Sequence, residues 1–259
     1  MSVAKELYLE ERRQKILTLL DEQGRVSVAE LSRQLGVSEV TIRADLHALA
    51  EQNLVIRTHG GAIPSAIGRN ELALTRRRQR QVQAKDRIGQ ACAPLIHNAQ
   101  SVLLDSSSTA LTIAQHLKNH HRLTIVTNSL AVSQEMVDAP GVKVVMPGGT
   151  LQPETASLVG TMGLDMLKNF NIQTGFFGAH GLSIPEGLTD VSAEEAEIKR
   201  AMVEMCRTKI AVLDATKWGQ VGLASFAQLD QFDIIITDAH APAEQVEQVQ
   251  KQGIEVFLV

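Results

Sequence analysis

Four consecutive hydroxyl side chains, in the run Asp105-Ser-Ser-Ser-Thr109, have the types and spacing that most suggest ligand chemistry in this chain. The run follows the apolar segment Val102–Leu104 and precedes a helical pattern, so we expect it where a strand ends and a helix begins. Backbone N–H groups at a helix N-terminus, together with hydroxyls, can bind an anion such as phosphate. One serine would suffice as a helix cap, and the run exceeds that need. We therefore predict ligand contacts at Asp105, Ser106, Ser107, Ser108 and Thr109.

Three further loops follow apolar segments in the same way: Thr127-Asn-Ser129, Pro147-Gly-Gly-Thr150 and Gly178-Ala-His-Gly181. The paired glycines of the second loop permit close approach of the backbone to a ligand, although a tight turn alone would also need glycine. The histidine of the third loop is either a ligand contact or an ordinary polar loop residue. The predicted ligand contacts in these loops are Asn128, Gly148, Gly149 and His180.

Two pairs of charged residues could serve the same ligand. Glu195 and Lys199 are four residues apart on a predicted helix, where such pairs are most often surface salt bridges, but a lysine reaching over the sheet edge could bind a phosphate or a sugar hydroxyl. Asp214 and Lys217 follow another strand end and pose the same choice. We assign Lys199, Asp214 and Lys217 to ligand binding.

The elements that must position these loops alternate along the second part of the chain. Apolar runs alternate with helical patterns, as in βα units on a parallel sheet, where ligands bind at the carboxyl ends of the strands. The predicted strands are Val102–Leu104, Leu123–Thr127, Val142–Met146, Thr174–Gly178, Lys209–Leu213, Asp233–Thr237 and Glu255–Val259. The predicted helices between them are Ala110–Lys118, Ala131–Val137, Glu194–Arg207 and Pro242–Gln252.

The first part of the chain contains three helical patterns. The first runs from Glu11 to Asp21, and Ser27 then begins a Ser-x-x-Glu capping box. The apolar positions of this second helix are Ala29, Leu31 and Leu35. Gly36 ends it, and Ser38 caps a third helix with Ile42, Leu46 and Leu49 facing inward. Two short helices separated by a turn with glycine are typical of a helix-turn-helix.

The outward face of the third helix carries groups that suit DNA. Arg43 can fork onto guanine or bind a phosphate, although an arginine on a helix is more often a solvated charge, and Thr41 can contact a backbone oxygen or a thymine methyl. The segment Leu54–Ile63 turns at Gly60-Gly61 and predicts a two-stranded wing. The predicted DNA contacts are Ser27, Ser38, Glu39, Thr41, Arg43, His47, Arg57 and His59.

Between these parts, residues 65–70 predict a linker, because they are small, polar and without periodicity. The run Arg76-Arg-Arg-Gln-Arg80 is interpreted mainly as a solvated helix face, with a phosphate-contacting arm as the alternative. We predict a winged helix-turn-helix domain over residues 9–64 with its motif at about 26–45, a linker and connecting helix over 65–88, and an effector-sensing domain over 89–259.

Charge is sorted along the chain in the same way. The net charge is −4, but residues 1–90 carry 15 Lys/Arg against 11 Asp/Glu, whereas residues 91–259 carry 10 against 18. This favours two modules with different partners. Cys92 and Cys206 are far apart, which suggests reduced thiols in a cytoplasmic protein. No signal peptide or membrane span is predicted, and His120-His121 lack the companions of a metal site.

These motifs resemble the DeoR-type bacterial regulators of sugar metabolism. The first module matches in Val26-Ser-Val-Ala-Glu-Leu, Val37-Ser-Glu-Val-Thr-Ile-Arg-Ala-Asp-Leu and Leu54-Val-Ile-Arg-Thr-His-Gly-Gly-Ala, and the second in the hydroxyl run, Thr127-Asn-Ser, Pro147-Gly-Gly-Thr and Asp214-Ala-Thr-Lys. Ala44, Ser107 and Trp218 depart from the usual pattern, in which Arg, Gly and Phe are common.

The resemblance implies an α/β fold: a winged helix-turn-helix followed by a parallel-sheet domain related to ribose-5-phosphate isomerase and CoA-transferase-like folds. It also implies that the hydroxyl-rich loop binds the phosphate of an effector. The same kinship supplies an enzymatic alternative, a sugar-phosphate isomerase with Asp105 or Asp214 as base and Lys199 or Lys217 as electrostatic partner. The sequence does not show a carboxylate poised against the sugar carbon, and an isomerase has no use for a helix-turn-helix. With the motifs, it predicts a homo-oligomeric DNA-binding repressor of a carbohydrate-utilisation operon, which a phosphorylated sugar releases from double-stranded operator DNA. Repression comes from the resemblance alone, and no enzymatic activity, cofactor, metal or membrane partner is expected.

Overall fold

The structure is a computed structural model that describes residues 9–52, 54–65, 74–98 and 100–259. The chain divides into two compact units, with the boundary between Val82 and Gln83. Most of the predicted linker, residues 66–70, lies outside the described residues. Among the described helices, none combines the length and the apolarity needed to cross a lipid bilayer.

The first unit is a winged helix-turn-helix. Its elements are α1 (Leu9–Gln23), β1 (Val26–Ser27), α2 (Val28–Leu35), α3 (Glu39–Glu51), β2 (Val55–Thr58), β3 (Gly61–Pro64) and α4 (Leu74–Gln79). The strands form an antiparallel sheet in the order β1-β3-β2. The predicted two-stranded wing therefore gains a third, two-residue strand in front of α2.

Local capping chemistry sets the boundaries of α2 and α3. Ser27 caps α2 by accepting from the backbone of Glu30 at 3.2 Å, and its hydroxyl donates to the Glu30 carboxylate at 2.7 Å. The predicted N-cap is confirmed, but the Glu30 carboxylate binds the Ser27 hydroxyl and not the backbone N–H that a capping box requires. Gly36 ends α2 at φ 69°, and Ser38 caps α3 by accepting from Thr41 N at 3.1 Å. The prediction that Ala29 faces the core is wrong: it is exposed, and Val28 is buried instead.

The core of this unit also contains an unpredicted ion pair. Apolar side chains from all three helices fill the centre: Ile16, Leu20, Leu31, Ile42, Leu46 and Leu49. Asp45 on α3 is also buried. Its carboxylate forms ion pairs with Arg12 Nε at 2.6 Å and Arg13 Nε at 3.2 Å. These two arginines of α1 thereby fix the orientation of α3.

One arginine of α4 is an exception to the mainly solvated face that the sequence predicts. Arg76 is buried, and this burial, followed by the charge of Arg80, lowers the pKa of Arg76.

The second unit is an α/β domain. Its strands are β4 (Ser101–Leu104), β5 (Leu123–Val126), β6 (Val142–Val145), β7 (Thr150–Gln152), β8 (Ser157–Val159), β9 (Ile172–Phe177), β10 (Gly181–Ser183), β11 (Gly187–Asp190), β12 (Cys206–Val212), β13 (Ala224–Ala227), β14 (Ile234–Thr237) and β15 (Glu255–Leu258). Its helices are α5 (Val82–Cys92), α6 (Ser108–Gln115), α7 (Leu130–Glu135), α8 (Thr161–Leu167), α9 (Ala193–Glu204) and α10 (Ala243–Gln250), with 3-10 helices at Ala93–Leu95, Ala215–Lys217 and Leu229–Gln231.

Seven of these strands form one parallel sheet in the order β15-β14-β12-β9-β4-β5-β6. All seven predicted strands are present in it, which confirms the parallel-sheet fold class. The chain builds outward from β4 to β6 and then returns to the other side of β4 with β9. The sheet therefore reverses its direction of growth between β4 and β9, and ligands of such sheets gather at this position.

The two faces of the sheet are covered by separate apolar clusters. Leu103 and Phe177 lie in one cluster with Met202 of α9, whereas Leu104 and Phe176 lie in the other with buried residues of α5 and α6. Neighbouring residues of one strand thus face opposite layers, as strand geometry requires. Helices on both sides hold the strand ends in place.

Two short antiparallel elements were not predicted: the hairpin of β7 and β8, and the sheet in the order β10-β11-β13. The predicted end of one helix is also wrong. The pattern extended to Arg207, but α9 stops at Glu204, and Cys206 already pairs with Ile172 of β9. Parallel pairing has replaced the last helical turn.

Candidate functional site

Parallel pairing brings the predicted ligand residues to one edge of the large sheet. The loops after β4, β5, β6, β9 and β12 all lie at the carboxyl ends of their strands. These loops carry Asp105–Thr109, Asn128, Gly148–Gly149, His180 and Asp214–Lys217 respectively. The structure therefore places the predicted residues on one edge, and their contact with an effector stays a prediction.

The side chains of three residues in the hydroxyl-rich loop already form hydrogen bonds within the protein. Asp105 is fully buried and accepts the backbone N–H groups of Ser107 and Gly178, each at 2.9 Å. Ser107 caps α6 by accepting from Ala110 N at 3.0 Å. The hydroxyl of Ser106 donates to Glu195 Oε2 at 3.1 Å. These three side chains hold the loop in shape.

The hydroxyls of Ser108 and Thr109 differ from those of their neighbours. Both residues lie in the first turn of α6, 7% and 5% exposed, and neither hydroxyl has a hydrogen-bond partner among the described residues. Backbone N–H groups in the first turn of a helix have no intrahelical acceptor. The loop thus offers hydroxyl and amide donors at the positive end of a helix dipole, an arrangement suited to an anion.

The loop after β9 packs directly on this loop. A methyl group built on Gly178 would lie 2.4 Å from Cβ of Ser107, so only glycine fits there while position 107 carries a side chain. The two loops flank the point where the sheet changes its direction of growth.

Lys199 on α9 connects three elements beneath the site. Its Nζ lies 3.0 Å from Asp105 Oδ2, 2.7 Å from Asp190 Oδ2 and 2.9 Å from the carbonyl oxygen of Gly178, and the residue is 2% exposed. Burial disfavours the ammonium, but the charges of Asp105 and Asp190 outweigh it and raise the pKa of Lys199. The three N–H bonds of the ammonium have three acceptors. Of the two alternatives for Lys199, the surface salt bridge with Glu195 is therefore excluded, and contact of Lys199 with an effector stays a prediction.

Glu195 is a buried residue of the site to which the sequence analysis assigned no role. Its carboxylate accepts the hydroxyls of Thr155 at 2.8 Å, of Ser157 and of Ser106. It thereby connects the hydroxyl-rich loop to the hairpin of β7 and β8. The sequence gives no signal for these contacts, because Thr155, Ser157 and Ser106 are 38 or more residues away from Glu195 in the chain.

The remaining predicted ligand residues have local roles as well. Asp214 accepts Thr216 N at 3.1 Å and caps a 3-10 helix, which also carries the half-buried Lys217. Gly149 has φ +145°, and a methyl group there would lie 2.4 Å from the carbonyl oxygen of Val159, so its glycine serves the hairpin. Gly148 faces open space. His180 is half-buried, and its backbone N–H donates to Thr189 at 2.9 Å.

The candidate DNA interface lies on α3 and the wing of the first unit. Arg43 is exposed and forms an ion pair of 2.7 Å with Glu39 one turn earlier. His47 Nδ1 lies 3.5 Å from a guanidinium nitrogen of Arg57, so α3 and β2 present one surface. The exposed residues of this surface are Ser38, Glu39, Val40, Arg43, Ala44, His47, Arg57 and His59.

Two of the predicted DNA contacts are partly engaged elsewhere. The hydroxyl of Ser27 binds Glu30 as the cap of α2, and the hydroxyl of Thr41 lies 2.8 Å from that of Ser38, the cap of α3. The contact of Ser27 and Thr41 with DNA stays a prediction.

Comparison with known proteins gives matches to both units. A family model described as the DeoR-like helix-turn-helix domain matches residues 12–65, and one described as the DeoR C-terminal sensor domain matches residues 80–239. The chain is 35% identical over 246 residues to the HTH-type transcriptional regulator GolR of Listeria innocua, covering 95% of this chain and 97% of that protein. It is 31% identical over 249 residues to the glycerol-3-phosphate regulon repressor of Escherichia coli K12, covering 96% and 98%.

Among solved structures, the chain is similar to ribose 5-phosphate isomerase A from Methanocaldococcus jannaschii. The TM-score is 0.39 at 13% sequence identity, covering 52% of this chain and 53% of that one.

Proposed function

Since this chain belongs to the DeoR family of transcriptional regulators, we propose that it represses a carbohydrate-utilisation operon until a phosphorylated sugar releases it from the operator. The protein is a regulator with a DNA-binding unit and a sensor unit, not an enzyme. The isomerase alternative is therefore set aside. Its proposed place of action is the cytoplasm, where operator DNA and sugar phosphates are both found.

The DNA-binding unit supports a docking geometry with α3 in the major groove. The N-terminal part of α3 exposes its cap Ser38, Glu39 in the first turn and Arg43 in the second, and residues there reach base edges in helix-turn-helix proteins. Arg57 and His59 on the wing suit phosphates or the minor groove. We propose a homodimer or higher oligomer whose two α3 helices meet half-sites about 10 bp, or a multiple of it, apart.

The sensor unit supports a phosphate site at the start of α6. The single observation that carries this proposal is that the hydroxyls of Ser108 and Thr109, on two residues that are 7% and 5% exposed at a helix N-terminus, have no hydrogen-bond partner among the described residues. Hydroxyls that the protein itself does not use can donate to a bound ligand. A phosphate supplies several acceptors and the negative charge that the helix dipole favours.

Release from DNA requires that the effector bind the two states of the repressor with different affinity. The coupling free energy in such systems is typically about 1–3 kcal/mol, a roughly 5- to 150-fold change in operator affinity. Glu195 and Lys199 connect the phosphate loop to surrounding strands. A movement of this loop on effector binding would therefore be transmitted to those strands.

The test combines an operator-binding assay with a ligand panel. Fluorescence anisotropy measures binding to duplexes from the region upstream of the regulated genes, and sugar phosphates, polyol phosphates and amino-sugar phosphates are then added. The double variant Ser108→Ala with Thr109→Ala is expected to keep operator affinity and lose the response to effector. Thr112→Ala is the matched control, because its hydroxyl lies on the same helix and donates to the carbonyl oxygen of Ser108.

Two results would refute the proposal. Equal release of the double variant and the wild type by the same phosphate would exclude this loop as the phosphate site. Absence of preference for any duplex from the genomic neighbourhood would exclude operator recognition.

A further inference from the structure

Asn128 has a hydrogen-bonding group that the protein does not use. The residue is fully buried at the carboxyl end of β5. Its Nδ2 donates to the carbonyl oxygen of Leu158 at 3.2 Å, and its backbone carbonyl accepts from Leu158 N at 2.8 Å. Its side-chain oxygen Oδ1 has no hydrogen-bond partner among the described residues. An acceptor is thus held in the protein interior without a donor.

The orientation of this amide is set by its surroundings. An amide carries donors on nitrogen and acceptors on oxygen, and the two ends can be exchanged by a flip. In a flipped amide, Oδ1 would face the carbonyl oxygen of Leu158, and two acceptors would meet. The contact with Leu158 therefore requires Nδ2 on that side and leaves Oδ1 for another donor.

Asn128 lies beside the proposed phosphate site. Its strand β5 is the direct neighbour of β4, whose end leads into Ser108 and Thr109. On its other side, Leu158 follows Ser157, whose hydroxyl binds Glu195, and Glu195 also binds Ser106 of the phosphate loop. A short series of contacts thus connects the amide to the loop that would hold the phosphate.

We infer that Asn128 Oδ1 accepts a hydrogen bond from a hydroxyl of the effector, which makes Asn128 a specificity-determining residue. The inference rests on the proposed function, in which the phosphate binds at Ser108 and Thr109. An effector of this class carries a free hydroxyl near its phosphate group, as sugar and polyol phosphates do. An ester with a hydroxyl group then binds more tightly than a phosphate ester without one, because Oδ1 stays unpaired in the complex with the second ester.

The experiment separates the phosphate from the hydroxyl. Isothermal titration of the full chain uses inorganic phosphate, ethyl phosphate, glycerol 3-phosphate and fructose 1-phosphate. The wild type is expected to bind at least one hydroxylated ester about tenfold more tightly than ethyl phosphate, the effect of one hydrogen bond that is otherwise unmade. In Asn128→Leu, which is close in size and has no acceptor, that preference is expected to disappear while inorganic phosphate binds as before.

A matched control and a second readout keep the test decisive. Ser133→Ala removes a hydroxyl of nearby α7 that already donates to the carbonyl oxygen of Ser129. This variant is expected to keep the preference for hydroxylated esters. If Asn128→Leu does not fold, the wild-type comparison still tests the inference, because equal affinities would overturn it.

The outcomes distinguish this inference from the proposed function. Equal affinity of the wild type for ethyl phosphate and both hydroxylated esters would overturn the inference alone and indicate that a buried water serves Oδ1. An unchanged preference in a folded Asn128→Leu would do the same. Failure of every phosphate, inorganic phosphate included, to bind the wild type would overturn the proposed phosphate site and this inference with it.

Discussion

Replacement of Lys199 by methionine tests whether its ion pairs hold the sensor unit together. Methionine keeps most of the volume and removes the ammonium that Asp105 and Asp190 share at 3.0 and 2.7 Å. Both carboxylates then stay in the interior without their cation, and the carbonyl oxygen of Gly178 loses a donor. Removing one partner of a buried ion pair typically costs about 3–5 kcal/mol of unfolding free energy.

This loss converts into a large change in melting temperature. In a domain of this size, about 1 kcal/mol lowers Tm by roughly 2–4 °C. Lys199→Met is therefore expected to lower the sensor-unit transition by about 6–20 °C in calorimetry. The DNA-binding unit, whose core is separate, is expected to melt as before.

The dependence of Tm on pH provides a second measurement of the same ion pairs. The folded-state pKa of Lys199 is raised above that of an unfolded lysine, about 10.4. The stability that the charged group contributes is fully present below the unfolded pKa and is lost as pH rises through the higher folded value. The Tm difference between wild type and variant should therefore be constant from about pH 6 to 9.

A matched surface substitution controls for the general effect of losing a lysine. Lys251→Met breaks the exposed 2.7 Å pair with Glu247, for which about 0–1 kcal/mol is expected. Adding Asp105→Asn to Lys199→Met removes one uncompensated carboxylate and should restore part of the loss. A Tm change in Lys199→Met no larger than in Lys251→Met would show that the buried pairs contribute no net stability.

Two further predictions concern other parts of the chain. Arg43→Ala is expected to weaken operator binding by about 1–3 kcal/mol in a gel shift, because its guanidinium, ion-paired to Glu39, lies on the exposed face of α3; an unchanged midpoint would contradict the assignment. Burial raises the pKa values of Cys92 and Cys206 to about 12, so at pH 8 only about 1 thiol in 10,000 is a thiolate. A thiol reagent such as DTNB is therefore expected to label both cysteines only after denaturation, and rapid labelling of the native protein would be inconsistent with their burial.

Features determined by near neighbours in the chain were predicted well from the sequence. Ser27 and Ser38 act as helix caps because the groups they bind lie within three residues. The strands of the large sheet are covered on both faces and therefore appear as continuous apolar runs such as Val102–Leu104. Placing the hydroxyl run at the carboxyl end of β4 followed from that assignment.

Features determined by partners far along the chain were missed. Lys199 looked like the partner of Glu195 because they are four residues apart, but its ion-pair partners Asp105 and Asp190 come from strand ends. Asp45 likewise gave no signal that α1 would neutralise it. The three-residue strand Thr150–Gln152 is too short for a period-2 pattern to identify.

The contact between Gly178 and Ser107 has a consequence for how relatives of this protein can diverge. Only one of the two positions can carry a side chain, because a Cβ on Gly178 would overlap that of Ser107. A relative with glycine at position 107 has room for alanine at position 178, and a substitution at either position changes what is tolerated at the other. These two loops should therefore show paired substitutions during evolution.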